Sequence, residues 1–137
     1  MTTAANMVKR SLRLIQVINT VQPIKAEDAQ TGIEVMNAML TRWEANGLSL
    51  GWTNVDNPSD VLPLPPEAEE AVAYNLAVRL APEYGVEVSL VVGRGSVEFL
   101  ADLRRDQAVA TPIQPLLDVP CPDWYGARTF RSTVWNG

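Results

Sequence analysis

Between Thr3 and about Asn19, Val8, Leu12, Ile15 and Ile18 fall on one side of the chain, and Lys9, Arg13 and Gln16 on the other. That three-or-four spacing predicts an amphipathic helix, which Val21, Gln22 and Pro23 break. Helical spacing resumes from Ala26 to Asn46 through Ala29, Ile33, Met36, Leu40 and Trp43, with Glu27 and Asp28 in the first turn and Gly47 beyond the last. From Leu48 the period shortens, as Leu48, Leu50 and Trp52 alternate with Ser49 and Gly51. Asp56, Asn57 and Pro58 then supply turn chemistry ahead of Val61 to Leu64. A short hairpin-like or otherwise ordered loop is expected there.

The next stretch, Pro65 to Gly85, is a helix with both ends marked. Pro65 and Pro66 stand where a first turn tolerates proline, Glu67, Glu69 and Glu70 place negative charge at the positive end of the dipole, and Gly85 is a stop. The helix is predicted from about Pro66 to Tyr84. Ala71, Val72, Tyr74, Leu76, Ala77, Val78, Leu80 and Ala81 leave almost no polar face, so it is buried on several sides, with more apolar surface than one small chain is expected to bury alone. A fourth helix is expected from about Val86 to Ala108, with Val88, Val92, Gly95, Phe99 and Leu103 on one stripe. Gly93 and Gly95 each cost such a helix about 1 kcal/mol relative to alanine, and a close approach of another helix would account for them.

After Ala110 the helical period ends and Pro112, Pro115, Pro120 and Pro122 follow. Four of the nine aromatics, Trp124, Tyr125, Phe130 and Trp135, lie in this segment, whereas disordered tails are poor in them. With Arg128 and Arg131 they suit an arm that docks on a partner, and the alternation of Phe130, Ser132 and Val134 suits addition of a strand to a sheet edge. The plainer alternative is a tail folded back over its own bundle. The expected architecture is mainly α: a bundle of about four helices over residues 1–110 and an extended C-terminal arm over residues 111–137.

Length and composition fit this picture. The 137 residues suffice for one core and not for two, and no apolar run reaches the length of a membrane span. The N-terminus carries no apolar h-region or cleavage site, which reads as unexported. The net charge of −5 is segregated: residues 1–25 hold Lys9, Arg10, Arg13 and Lys25 and no acid, whereas residues 26–102 hold thirteen acids against three arginines. Opposite patches on one chain can be two solvated faces, or can meet head to tail between copies and close a ring.

Little in the chain points to catalysis or cofactors. There is no histidine, and Cys121 stands alone between prolines, so a thiol nucleophile lacks its usual base and a metal site lacks its usual ligands. Glu67, Glu69 and Glu70 are accounted for by the helix N-terminus, and a catalytic carboxylate pair with Asp102 would need an enclosed site. Gly93-Arg94-Gly95 lacks the rest of a dinucleotide or P-loop fingerprint. Neither an enzyme, a cofactor nor a metal is expected. Asn75, Arg79 and Glu83 stand one turn apart on the third helix. They read equally as an ion pair with an amide beside it, or as polar contacts between subunits together with Lys9, Arg10 and Arg13. Trp43 is expected in the core. Trp52 is open between the core and a cap on the bundle at the loop, and Asp56 and Asn57 stand in the same loop, placed to face a partner or a neighbouring subunit.

Met39-Leu40 followed by Trp43 and Gly47-Leu48, and Asn75-Leu76-Ala77 with Arg79, Ala81-Pro82 and Tyr84, give the chain a family likeness. Over roughly residues 5–108 it resembles the head-to-tail adaptors of short-tailed bacteriophages, the tail accessory or packaged-DNA stabilisation factors. The resemblance implies a virion protein, made in the host cytoplasm, that forms a twelve-fold ring under the portal. Such a ring extends the DNA channel, helps retain the genome without reading its sequence, and offers a platform to the next tail or nozzle protein. It implies that the C-terminal arm reaches the portal. Two other classes stay open: a virion-associated cell-wall hydrolase, which needs two carboxylates facing across a cleft, and a small DNA-binding helical module using the basic first helix.

Overall fold

The computed structural model describes residues 1–110. Four helices follow in order: α1 (Ala4–Leu14), α2 (Ala26–Ala45), α3 (Glu69–Leu80) and α4 (Leu90–Ala110), with a 3-10 turn over Pro66–Ala68 leading into α3. The mainly α expectation holds, and the differences lie at the ends of the elements.

At the start of α1 the N–H groups of its first four residues are all satisfied. Ala4 and Ala5 donate to the carbonyls of Asp60 and Pro58, Asn6 to the Thr3 hydroxyl, and Met7 to the Thr3 carbonyl. The loop before α3 is thereby stitched to the N-terminus of the chain, and Leu62 N–H returns to Thr2 O. At its other end α1 stops at Leu14, five residues short of the expected Asn19. Gln16 takes a left-handed φ of 61°, and Val17 N–H closes back on Leu12 O at 3.0 Å. With this turn Ile15 and Ile18 both lie in the core.

No strand pair forms between α2 and α3 among the described residues, where a hairpin-like loop was expected. The alternating stretch from Leu48 to Val55 pairs with side chains of α2 instead. Glu44 Oε1 accepts from the N–H groups of Leu50 (3.1 Å) and Trp52 (2.7 Å), and the Asn37 amide both donates to Val55 O and accepts from Val55 N–H. A helix face here supplies the hydrogen bonds a second strand would have offered.

α3 is the central element. α1 reaches it through Thr2 Oγ1 to Glu69, Arg10 to Glu70, and Ser11, whose Oγ lies 3.0 Å from both Met7 O and Ala73 O and whose single proton serves one at a time. α4 reaches α3 on another side, where Asn75 Nδ2 donates to Ser96 O at 2.9 Å and the rings of Tyr74 and Phe99 meet edge to face at 4.9 Å. α2 packs on α3 as well. Ala71, Val72, Ala73, Leu76, Ala77, Leu80 and Ala81 are therefore buried within this one chain. Three helices surround it, so most of the apolar surface expected to be in surplus is covered within the chain, and Tyr74 and Val78 stay half-buried.

Two glycines mark close approaches. A Cβ at Gly95 would come within 2.8 Å of Tyr74 Cδ1, and one at Gly32 would overlap the γ carbons of Val8. Gly93 has only Val88 nearby, at 4.0 Å, so the close-packing account applies to Gly95 and not to Gly93. α4 begins at Leu90 and not at Val86, because Ser89 is the residue able to cap it: its Oγ accepts from Val92 N–H.

Candidate interaction surface

The described residues offer open grooves and exposed faces as candidate sites. Their half-buried carboxylates serve structural hydrogen bonds, Glu44 to the Leu50 and Trp52 N–H groups, Glu69 to Thr2 and Asp28 to Tyr84, and others are exposed or pair with arginine. Arg10 meets Glu70 at 3.2 Å and Arg105 meets Asp102 at 2.9 Å, all four groups well exposed, so each pair contributes at most about 1 kcal/mol. Among the described residues these are the two ion pairs, and Arg79 with Glu83 is not one of them. Burial, then its hydrogen bond to Asp28 Oδ1 at 2.8 Å, push the Tyr84 phenol up to about 12. The bond ties the turn after α3 to the first turn of α2.

The residues singled out from the sequence are distributed as follows. Lys9, Arg10 and Arg13 share the outer side of α1 and, with Asn6 and Thr2, line a shallow concavity of about 340 Å³. Arg10 is engaged by Glu70, and Arg13 donates to Thr20 O, a neutral carbonyl that leaves its charge in place. Asn75 is half-buried between α3 and α4, and Arg79 is exposed on the remaining side of α3. Trp43 lies in the core as expected. Trp52 is buried with it, 9% exposed, and its indole Nε1 has no acceptor among the described residues. Asp56 and Asn57 are exposed at the turn, where Asn57 N–H donates to Asp60 Oδ2. Trp124, Tyr125, Arg128, Phe130, Arg131, Trp135 and Cys121 lie outside the described residues.

One surface was missed from the sequence. Leu90 (79% exposed), Val91 (76%) and Val97 (69%) stand on the outer side of α4. Leu90 and Val91, but not Val97, line a mostly apolar groove of about 270 Å³ against α3, floored by Tyr74 and Phe99 and rimmed by Arg94 and Glu98. The signal was present in the sequence: α4 has apolar residues off its Val88-Val92-Phe99-Leu103 stripe.

Among the described residues no helix is long and apolar enough to cross a membrane. A search of curated proteins finds no match to the chain. A family model, described as the P22 tail accessory factor, matches residues 1–112. That span takes in all four helices and both motifs of the sequence likeness, Met39 to Leu48 and Asn75 to Tyr84, and the chain belongs to the P22 tail accessory factor family.

Proposed function

We propose that this phage tail protein acts as a head-to-tail adaptor: it assembles as a ring beneath the portal, extends the DNA channel and helps retain packaged DNA. The same ring is the attachment platform for the next tail or nozzle protein. The observation that carries this reading is the match of residues 1–112 to a tail accessory family. The copy number of twelve comes from the family likeness alone.

In this reading the arm of residues 111–137 docks on the portal through Trp124, Tyr125, Phe130 and Trp135, with Arg128 and Arg131 for acidic partners. Lys9, Arg13 and Arg79 have no acid paired to them within the described residues and serve subunit contacts, beside Arg10 and Asn75. Asp56 and Asn57, on the exposed turn, face the tail side or a neighbour. The acidic balance of the chain suits a conduit, since a lumen that repels phosphates does not hold the genome during passage. Mainly basic residues lining the assembled channel would end that part of the argument.

Native mass measurement of the chain with and without its portal tests the whole reading: a multimer on the portal is expected. Removal of residues 111–137 abolishes co-sedimentation with portal rings if the arm is the dock, and undiminished binding of the truncated chain removes the arm from that role.

A further inference from the structure

The last two turns of α4 lie beside the end of α2. Arg104, Gln107 and Ala108 on one side and Trp43, Leu48 and Ser49 on the other line a groove of about 290 Å³, and a hydrogen bond from Gln107 Nε2 to Ser49 O at 2.9 Å joins the two sides. Trp43 and Leu48 present apolar surface to it, while Arg104 and Ser49 are exposed and polar. Such a mixed lining suits an extended segment, whose side chains can be apolar and whose backbone groups need partners. α4 ends at Ala110, two residues and about 3 Å along the axis beyond Ala108, so the chain leaves the helix at the rim of this groove.

The residues that follow match the lining. Gln107 to Leu117 carry no charge, and Pro112 removes a backbone N–H and disfavours the helical region for Thr111, which predicts an extended continuation. In a polyproline II conformation residues three apart share a side, so Pro112 and Pro115 fall on one side and Ile113 and Leu116 on the next. We propose that residues 111–117 lie along this groove of their own chain, with Ile113 and Leu116 turned to Trp43 and Leu48. At about 3.1 Å per residue they reach about 20 Å, enough to cross from the end of α4 to the end of α2, two elements already joined through Gln107. The arm then starts at Asp118, where charge resumes, and the aromatics from Trp124 onward stay available to a partner. The inference concerns the root of the arm and holds or fails independently of portal docking.

A cross-linking race tests it on the full-length chain with Cys121→Ser as background. Gln114→Cys is paired either with Ser49→Cys, in the groove, or with Asp106→Cys, exposed on α4 and not part of the groove, and each pair is treated with a short bismaleimide. A free tethered segment samples both thiols and, with fewer residues between, reaches Asp106→Cys at least as fast. A several-fold faster reaction at Ser49→Cys, in a product of monomer mass, is expected. Equal rates, or a faster reaction at Asp106→Cys, overturn the inference, and so do covalent multimers, which put the segment of one copy in the groove of another. As a second readout, Ile113→Asp with Leu116→Asp lowers the urea midpoint and speeds hydrogen exchange at Leu48 N–H, which is bonded to Trp43 O; an unchanged midpoint and exchange rate overturn it. Co-sedimentation with portal rings is scored on the same Gln114→Cys chains before cross-linking. Groove reaction with no portal binding sinks the docking reading alone, and portal binding with no groove reaction sinks this one alone.

Discussion

Gly32 faces Val8 where α1 meets α2, and a methyl group there would overlap both of that valine's γ carbons. Alanine gains up to about 1 kcal/mol of helix propensity, while overpacking a core costs about 1–3 kcal/mol, and Val8 is fully buried with no room to retreat. Gly32→Ala should therefore lower the urea midpoint. Gln16 presents the opposite case: a residue with a Cβ holds a left-handed φ of 61°. Gln16→Gly relieves that and should raise stability by about 0.5–1 kcal/mol, seen as a higher urea midpoint at unchanged slope. Tyr84 gives a pH dependence. Its folded pKa of about 12 lies above the ordinary phenol value of 10.0, so the folded state holds the proton more tightly. The contribution of the Asp28 bond is complete below pH 10 and is lost as pH rises through 12. Difference titration of tyrosinate absorbance against Tyr84→Phe should show the late-titrating phenol disappear.

At the scale of elements, α2 does more than pack. Asn37 and Glu44 stand seven residues apart on one face of it and hold four backbone groups of the following loop. Asn37→Ala strands both the N–H and the carbonyl of Val55 and should cost about 1–3 kcal/mol. Faster hydrogen exchange at Leu50, Trp52 and Val55 is expected from Asn37→Ala and Glu44→Ala together, with α3 amides little changed. The alternation of Leu48, Leu50 and Trp52 was legible in the sequence, but the burial of Trp52 was not. Nor were their hydrogen-bond partners, because a side chain that serves a distant backbone leaves no periodic trace. The same holds at the start of α1: Thr3 is recognisable as a cap, but the carbonyls of Pro58 and Asp60 that complete it lie more than fifty residues away in the chain.

For the whole molecule, the decisive fact is the place of α3. Surrounded by α1, α2 and α4, it buries its apolar faces internally, and the exposed aliphatic surface falls to α4. Val91→Ser combined with Val97→Ser should leave the stability of the isolated chain within about 0.5 kcal/mol, since both side chains already stand in water. If the α4 face is covered in the tail, the same pair should reduce incorporation into tail complexes, measured as a loss of assembled chain at equal expression.

Sequence by itself determined the helical class, the four periodic segments, the stops at Gly47 and Gly85 and the family motifs, because capping, helical period and left-handed turns are properties of neighbouring residues. It also marked α3 as buried nearly all round. Tertiary structure alone decided what buries it, where α1 turns at Gln16, which polar side chains hold the loop, and which helix keeps an uncovered apolar face. A period shows that a helix has apolar sides, but the neighbours that cover each side come from far along the chain, and only their packing settles which side stays open.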